Sequence, residues 1–164
     1  MPFRLLKSAE HWFRHIKSDF KDENAPLFEM YYICLTAGLA LNKKDTTGVL
    51  TSDTRELVDY YPGQFKEVGR LITALFLSKQ IEALGIDMSE RKSLHTEIHK
   101  LVEPLQPNQL SKYGQDEINR YSYGGFEALQ EWFEDPPRQM DTFLPLFKML
   151  LDKEIQREKS TSSQ

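Results

Sequence analysis

Apolar residues recur at three- and four-residue intervals along most of this chain, the period of amphipathic helices. Leu5, Leu6, Ala9, Trp12, Phe13, Ile16 and Phe20 mark one face of a first helix, followed by a polar connection over residues 21–25. Asn24 and Pro26 signal the start of a second helix reaching about Asn42. Met30, Tyr31, Ile33, Cys34, Leu35, Ala37, Leu39 and Leu41 leave it little polar face, which predicts a central position. Its Ala37, Gly38 and Ala40 admit a close neighbour. Residues 43–54 carry loop chemistry, and 55–60 read as a helical turn ending before Tyr61-Pro62-Gly63.

A third long helix spans about 64–84, with Phe65, Val68, Leu71, Ile72, Leu75, Phe76 and Ile81 expected inward and Gly85-Ile86 as a glycine stop. Asp87 with Glu90 forms a capping pattern for a helix to about Val102, closed by Pro104 and Pro107. Ser111 caps the next helix, which leads through Ile118 to Gly124-Gly125 and ends near Trp132-Phe133. Asp135-Pro136-Pro137 breaks the pattern, and a last helix covers about 141–157 with Pro145 tolerated near its first turn. No segment alternates with a period of two over any length, nor is there an Asn-Gly or Asp-Gly hairpin turn. The expected fold is all-α: a single compact domain of about six helices over residues 1–158, with 159–164 as a disordered polar tail.

Composition narrows the setting. A chain of 164 residues suits one domain with its own core, and 40% hydrophobic with 28% charged residues is ordinary for a globular protein. The single cysteine, Cys34, has no internal partner and lies in the most apolar helix, which favours a reducing, cytoplasmic setting and an inert thiol. The longest apolar stretch, 31–41, is interrupted by Thr36 and Gly38 and falls short of the roughly 18 residues a membrane span needs. His11, Arg14 and His15 follow Met1-Pro2-Phe3-Arg4 where a signal peptide would stay apolar, so no membrane role is expected.

The formal charge of −4 argues mildly against a dedicated nucleic-acid binder. Locally, five Lys/Arg oppose two acids between Arg4 and Lys21. Arg4, Lys7, His11, Arg14 and Lys21 would form a stripe on the first helix, suited to DNA phosphates with Lys43 and Lys44 as helpers, although most such stripes are solvated faces. His11/His15 and His95/His99 have i,i+4 spacing but lack the glutamate position of a His-Glu-x-x-His site, so no metal is expected. Glu127 and Glu131 share a helix face and are the candidates were the chain a Mg²⁺-dependent nuclease or nickase; an exposed acidic face is the commoner meaning. No nucleophile elbow, phosphate-binding glycine loop, dinucleotide fingerprint or Cys-x-x-Cys pair is present, which leans away from an enzyme and calls for no cofactor.

The segment Asn119-Arg120-Tyr121-Ser122-Tyr123-Gly124-Gly125-Phe126 stands out, because each glycine costs a helix roughly 1 kcal/mol relative to alanine. It predicts a kink, a break, a close backbone approach or a presented turn. Tyrosine and arginine are favoured in binding hot spots, so Arg120, Tyr121 and Tyr123, with Tyr60 and Tyr61 of the second aromatic turn, are the expected contact residues for a protein partner. Together with Phe28-Glu29-Met30-Tyr31-Tyr32-Ile33-Cys34-Leu35 and Asp59-Tyr60-Tyr61-Pro62, this segment resembles small helical proteins encoded in bacterial DNA-modification and phage-defence clusters. The resemblance carries no catalytic signature and assigns no site residue; it implies an accessory role in a DNA transaction or antiviral defence. The sequence therefore reads as a non-enzymatic helical accessory protein that binds a protein partner, with direct DNA binding and Mg²⁺-dependent cleavage as alternatives.

Overall fold

The computed structural model describes residues 2–20 and 26–162. Among the described residues the chain is mostly helical, with six α-helices: α1 (Lys7–Trp12), α2 (Pro26–Ala40), α3 (Lys66–Ala83), α4 (Arg91–Leu101), α5 (Lys112–Trp132) and α6 (Met140–Ser162). Two small antiparallel pairs accompany them, β1 (Arg4–Leu6) with β2 (Thr54–Glu56) and β3 (Val102–Glu103) with β4 (Gln106–Leu110). The expectation of a mostly helical single domain holds, with these two ribbons as additions.

The core is organised around the contact between α2 and α5, the most extensive in the molecule. Glycine alpha-carbon hydrogens, not side chains, face the backbone of the other helix where they cross. A methyl group on Gly125 would land on the Cys34 carbonyl oxygen, and one on Gly38 on the Tyr121 carbonyl oxygen. A methyl group on Gly124 would meet the backbone of Lys43 and Lys44, where the chain leaves α2 and folds over α5. The glycine pair thus does not break α5. It sits in an unbroken 21-residue helix, and the helical penalty of glycine is offset by the close approach it permits.

Aromatic rings fill the space on either side. Phe3, Phe28, Tyr31, Tyr61 and Phe65 interlock at one end, while Trp12, Phe13, Phe126, Phe133 and Phe143 join α1, α5 and α6 at the other. Each buried ring contributes on the order of 2–3 kcal/mol through area removed from water. Asn119, buried on α5, ties the N-terminal segment to this core. Its Oδ1 accepts from Tyr31 Oη at 2.8 Å and from the Arg4 backbone N–H at 3.2 Å, and its Nδ2 donates to the Pro2 carbonyl at 3.3 Å.

Several boundaries differ from the periodic reading. The expected first helix is three pieces: β1, the six-residue α1, then a turn and a 3-10 turn over Lys17–Asp19. The same apolar residues are buried, Leu6 only partly, but Arg4–Leu6 pair with Thr54–Glu56, so residues 55–60 also lose their expected helical turn. Asp87 does not cap α4. Its carboxylate accepts from the Ser89 N–H and hydroxyl in a local turn, and Glu90 occupies the N-cap. Residues 159–162, expected as tail, continue α6. By contrast, Ser111 Oγ accepts from the Gly114 N–H at 3.0 Å as its capping role requires. Gly85 has the left-handed φ of 69° that a glycine stop uses, with Ile86 N–H donating to the Ile81 carbonyl and Gly85 N–H to that of Glu82.

Candidate functional site

Of the expected contact residues, Tyr121 and Tyr123 are corrected. Tyr121 is 0% exposed and Tyr123 is buried as well, because α5 turns that face onto α2 and the following loop. Burial raises both hydroxyls to about 12. Arg120 is exposed, but its guanidinium is engaged by Asp45 at 2.9 Å and Glu117 at 3.5 Å. Tyr61 is partly buried: its ring lies on Gly69, where a methyl group would collide with it, and its hydroxyl shares a 3.0 Å hydrogen bond with Thr73. Tyr60 alone of the five presents a free ring, at 64% exposure.

Arg120 and Glu117 belong to a clasp that fastens the 41–50 loop to α5. Lys44 Nζ is ion-paired with Glu117 and lies 5.3 Å above the Tyr121 ring. Gln80 of α3 donates to the same Glu117 oxygen at 3.0 Å. Burial by itself raises the Glu117 carboxyl; the hydrogen bonds from Lys44 and Gln80 and the charges of Lys44 and Arg120 outweigh it and hold the group below its ordinary value. Lys43 Nζ meets Glu131 at 3.1 Å and Glu127 at 3.8 Å, and Glu127 also accepts from the Thr46 N–H and hydroxyl. The two glutamates therefore hold a loop in place. Among the described residues, no group of three or more His, Cys, Asp or Glu converges as metal ligands would.

The basic stripe is likewise dispersed. Its helix stops at Trp12, so Arg4 and Lys7 no longer share a face with Arg14. Arg4 is paired with Glu56 at 3.1 Å, Lys7 donates to the Ser52 carbonyl at 2.8 Å, and Arg14 donates to the His11 carbonyl at 2.9 Å. Lys21 lies outside the described residues. His95 and His99 are exposed on α4 with their Nε2 atoms 2.9 Å apart. Cys34 is fully buried, and burial raises its thiol strongly, which leaves it unreactive in the folded protein. No helix among the described residues is long and apolar enough to cross a membrane.

The unexpected surface is on α3. Phe65, Ile72, Phe76 and Ile81 face the core as their spacing requires, but Val68, Leu71 and Leu75 do not: Leu71 is 71% exposed. They follow the i, i+3, i+7 rule on a strip beside the buried face. That strip borders a groove of about 510 Å³ floored by Tyr32, Ile33 and Thr36 of α2 and walled by Phe65 and Val68 on one side and Leu144, Phe147 and Leu151 of α6 on the other. Beyond the groove, α3 and α6 are joined by a 3.7 Å ion pair between Lys79 and Glu158. Gln64 beside it donates to Glu29 at 2.8 Å. Met149 and Leu146 add further exposed apolar area on α6. The sequence shows this apolar strip plainly; what it lacks is any sign that the fold supplies no neighbour for it.

The opposite flank of α3 is polar. Lys66, Gly69, Arg70 and Thr73, again at i, i+3, i+4, i+7, line a cleft of about 410 Å³ together with Tyr60, Tyr61, Glu103 and Gln115. No protein-family model, curated protein or solved structure matches this chain.

Proposed function

We propose that this chain is a non-enzymatic accessory protein that docks a protein partner in the groove between α3 and α6. The observation that carries the reading is the strip Val68, Leu71 and Leu75, an apolar face that the fold leaves in water beside an apolar recess. A groove between two helices, lined by Val68 and flanked along α3 by the exposed Leu71 and Leu75, suits an amphipathic helix of a partner, whose own apolar face would complete the bundle. Tyr60 and the glycine pair lose their place as the main contact. The setting in DNA handling or phage defence rests on the resemblance of the aromatic segments alone. Direct DNA binding draws less support, since Arg4, Lys43 and Lys44 are ion-paired and Lys7 and Arg14 are hydrogen-bonded to backbone carbonyls.

Co-expression with proteins encoded beside it in the genome, followed by affinity purification, tests the reading. Leu71→Glu with Leu75→Glu is expected to abolish capture of the partner and leave the far-ultraviolet circular dichroism unchanged, because both side chains are exposed. Undiminished capture by that double variant would place the contact elsewhere.

A further inference from the structure

We propose that His95 and His99 form a two-histidine chelate for a late divalent transition metal, Cu²⁺ or Ni²⁺, on the outer face of α4. The two stand four residues apart on a regular helix, both exposed, with ring centroids 4.1 Å apart and Nε2 atoms at 2.9 Å. Spacing alone does not produce this arrangement. His11 and His15 share it, but α1 ends at Trp12 between them, and among the described residues their rings make no such contact. Neither His95 nor His99 has another hydrogen-bond partner among the described residues, so the two Nε2 atoms are committed only to each other. Without metal, one Nε2–H donates to the lone pair of the other ring. A metal needs both lone pairs, and the donor ring frees its own when its proton passes to Nδ1 through solvent, with no change in its charge.

Distance selects the ion. With metal–nitrogen bonds of roughly 2.0–2.1 Å, nitrogens 2.9 Å apart subtend about 90° at the metal. A tetrahedral ion such as Zn²⁺ would need the pair opened to about 3.3–3.4 Å, whereas about 90° is the angle of square-planar and octahedral centres, which suit Cu²⁺ and Ni²⁺. Imidazole is a good ligand for both, and Cu²⁺ heads the affinity order of the divalent series. Charge does not draw the ion in. Around the pair α4 exposes Arg91, Lys92 and Lys100, and its Glu97 is buried and paired with Lys100. Among the described residues no third His, Cys, Asp or Glu joins the two rings, so oxygen-seeking Mg²⁺ and Ca²⁺ find no ligands here. The remaining coordination positions fall to water, which makes the site an open one. The glutamate missing from a His-Glu-x-x-His pattern excludes a hydrolytic zinc centre and does not bear on a two-ligand chelate.

Isothermal titration of the full chain, free of any histidine tag, with Cu²⁺, Ni²⁺, Zn²⁺ and Mg²⁺ tests the site. Cu²⁺ and Ni²⁺ are expected to bind with Kd below about 100 µM, Zn²⁺ more weakly than either, and Mg²⁺ not at all. His95→Gln and His99→Gln should each weaken Cu²⁺ and Ni²⁺ binding about tenfold or more, and His15→Gln should not. All three replace exposed side chains, so far-ultraviolet circular dichroism is expected to stay unchanged. The electron paramagnetic resonance spectrum of the Cu²⁺ complex should report a tetragonal centre with two imidazole nitrogens, one of which disappears in either variant. No binding of Cu²⁺ or Ni²⁺ at about 100 µM, Zn²⁺ held tighter than both, or undiminished affinity in His95→Gln and His99→Gln would overturn the proposal.

Discussion

A single hydrogen atom decides the packing at Gly125. On an exposed helix, replacing glycine with alanine stabilises by roughly 1 kcal/mol. Here the added methyl group would occupy the position of the Cys34 carbonyl oxygen, which belongs to helix backbone and cannot swing aside. Gly125→Ala is therefore expected to destabilise the fold by about 3 kcal/mol, read by urea denaturation, with the sign opposite to the helix-propensity effect. That these glycines mean something was legible in the sequence, since two of them amid helix formers need a reason. Which reason was not: close approach is a property of two segments, and the other half of it, Gly38, lies far back in the chain. The same ambiguity hid the tyrosines. A ring beside a glycine looks equally suited to presentation and to burial, and only the direction in which α5 is rotated puts Tyr121 inside.

At the scale of elements, local chemistry was read at Ser111 and Gly85 but not at Asp87, and long-range pairing was not read at all. Ser111 and Gly85 act within a few residues of themselves, and both do what their types imply. Gly85→Ala is expected to lower stability by about 1–2 kcal/mol through its left-handed backbone, a loss visible as a reduced melting temperature. The pairing of Arg4–Leu6 with Thr54–Glu56 left no trace, because three residues are too few to distinguish a strand's alternation from a helix face. Helix α3 shows the complementary limit. Its periodicity reports how much of the helix is apolar, not how much of that the fold covers, and the uncovered remainder is the proposed docking strip. One helix thus presents three surfaces around its circumference: core on one face, apolar groove on one flank, polar cleft on the other.

For the whole molecule, the Glu117 clasp links α5, α3 and the 41–50 loop through one carboxylate. Folded Glu117 holds its proton less tightly than the unfolded chain does. Its stabilisation is therefore present in full above the ordinary carboxylate range and is lost as pH falls through the folded value. Glu117→Gln should cost about 1–3 kcal/mol near neutral pH, and denaturation curves of the variant and the native chain should converge on acidification. A constant gap across that range would mean the carboxylate's charge is not what holds the clasp. Neither the clasp nor the cleft was visible beforehand, since each assembles residues from separate segments of the chain. The crossing of α2 and α5 has a further consequence, in time. Tyr31 and Asn119, which bond across it, are 88 residues apart. During synthesis α2 leaves the ribosome long before α5 exists, carrying an apolar surface with nothing to cover it. The nascent chain must wait through α3, α4 and the β3–β4 hairpin before its centre can close, and refolding followed by stopped-flow fluorescence is expected to be slower than for helical proteins built from local contacts.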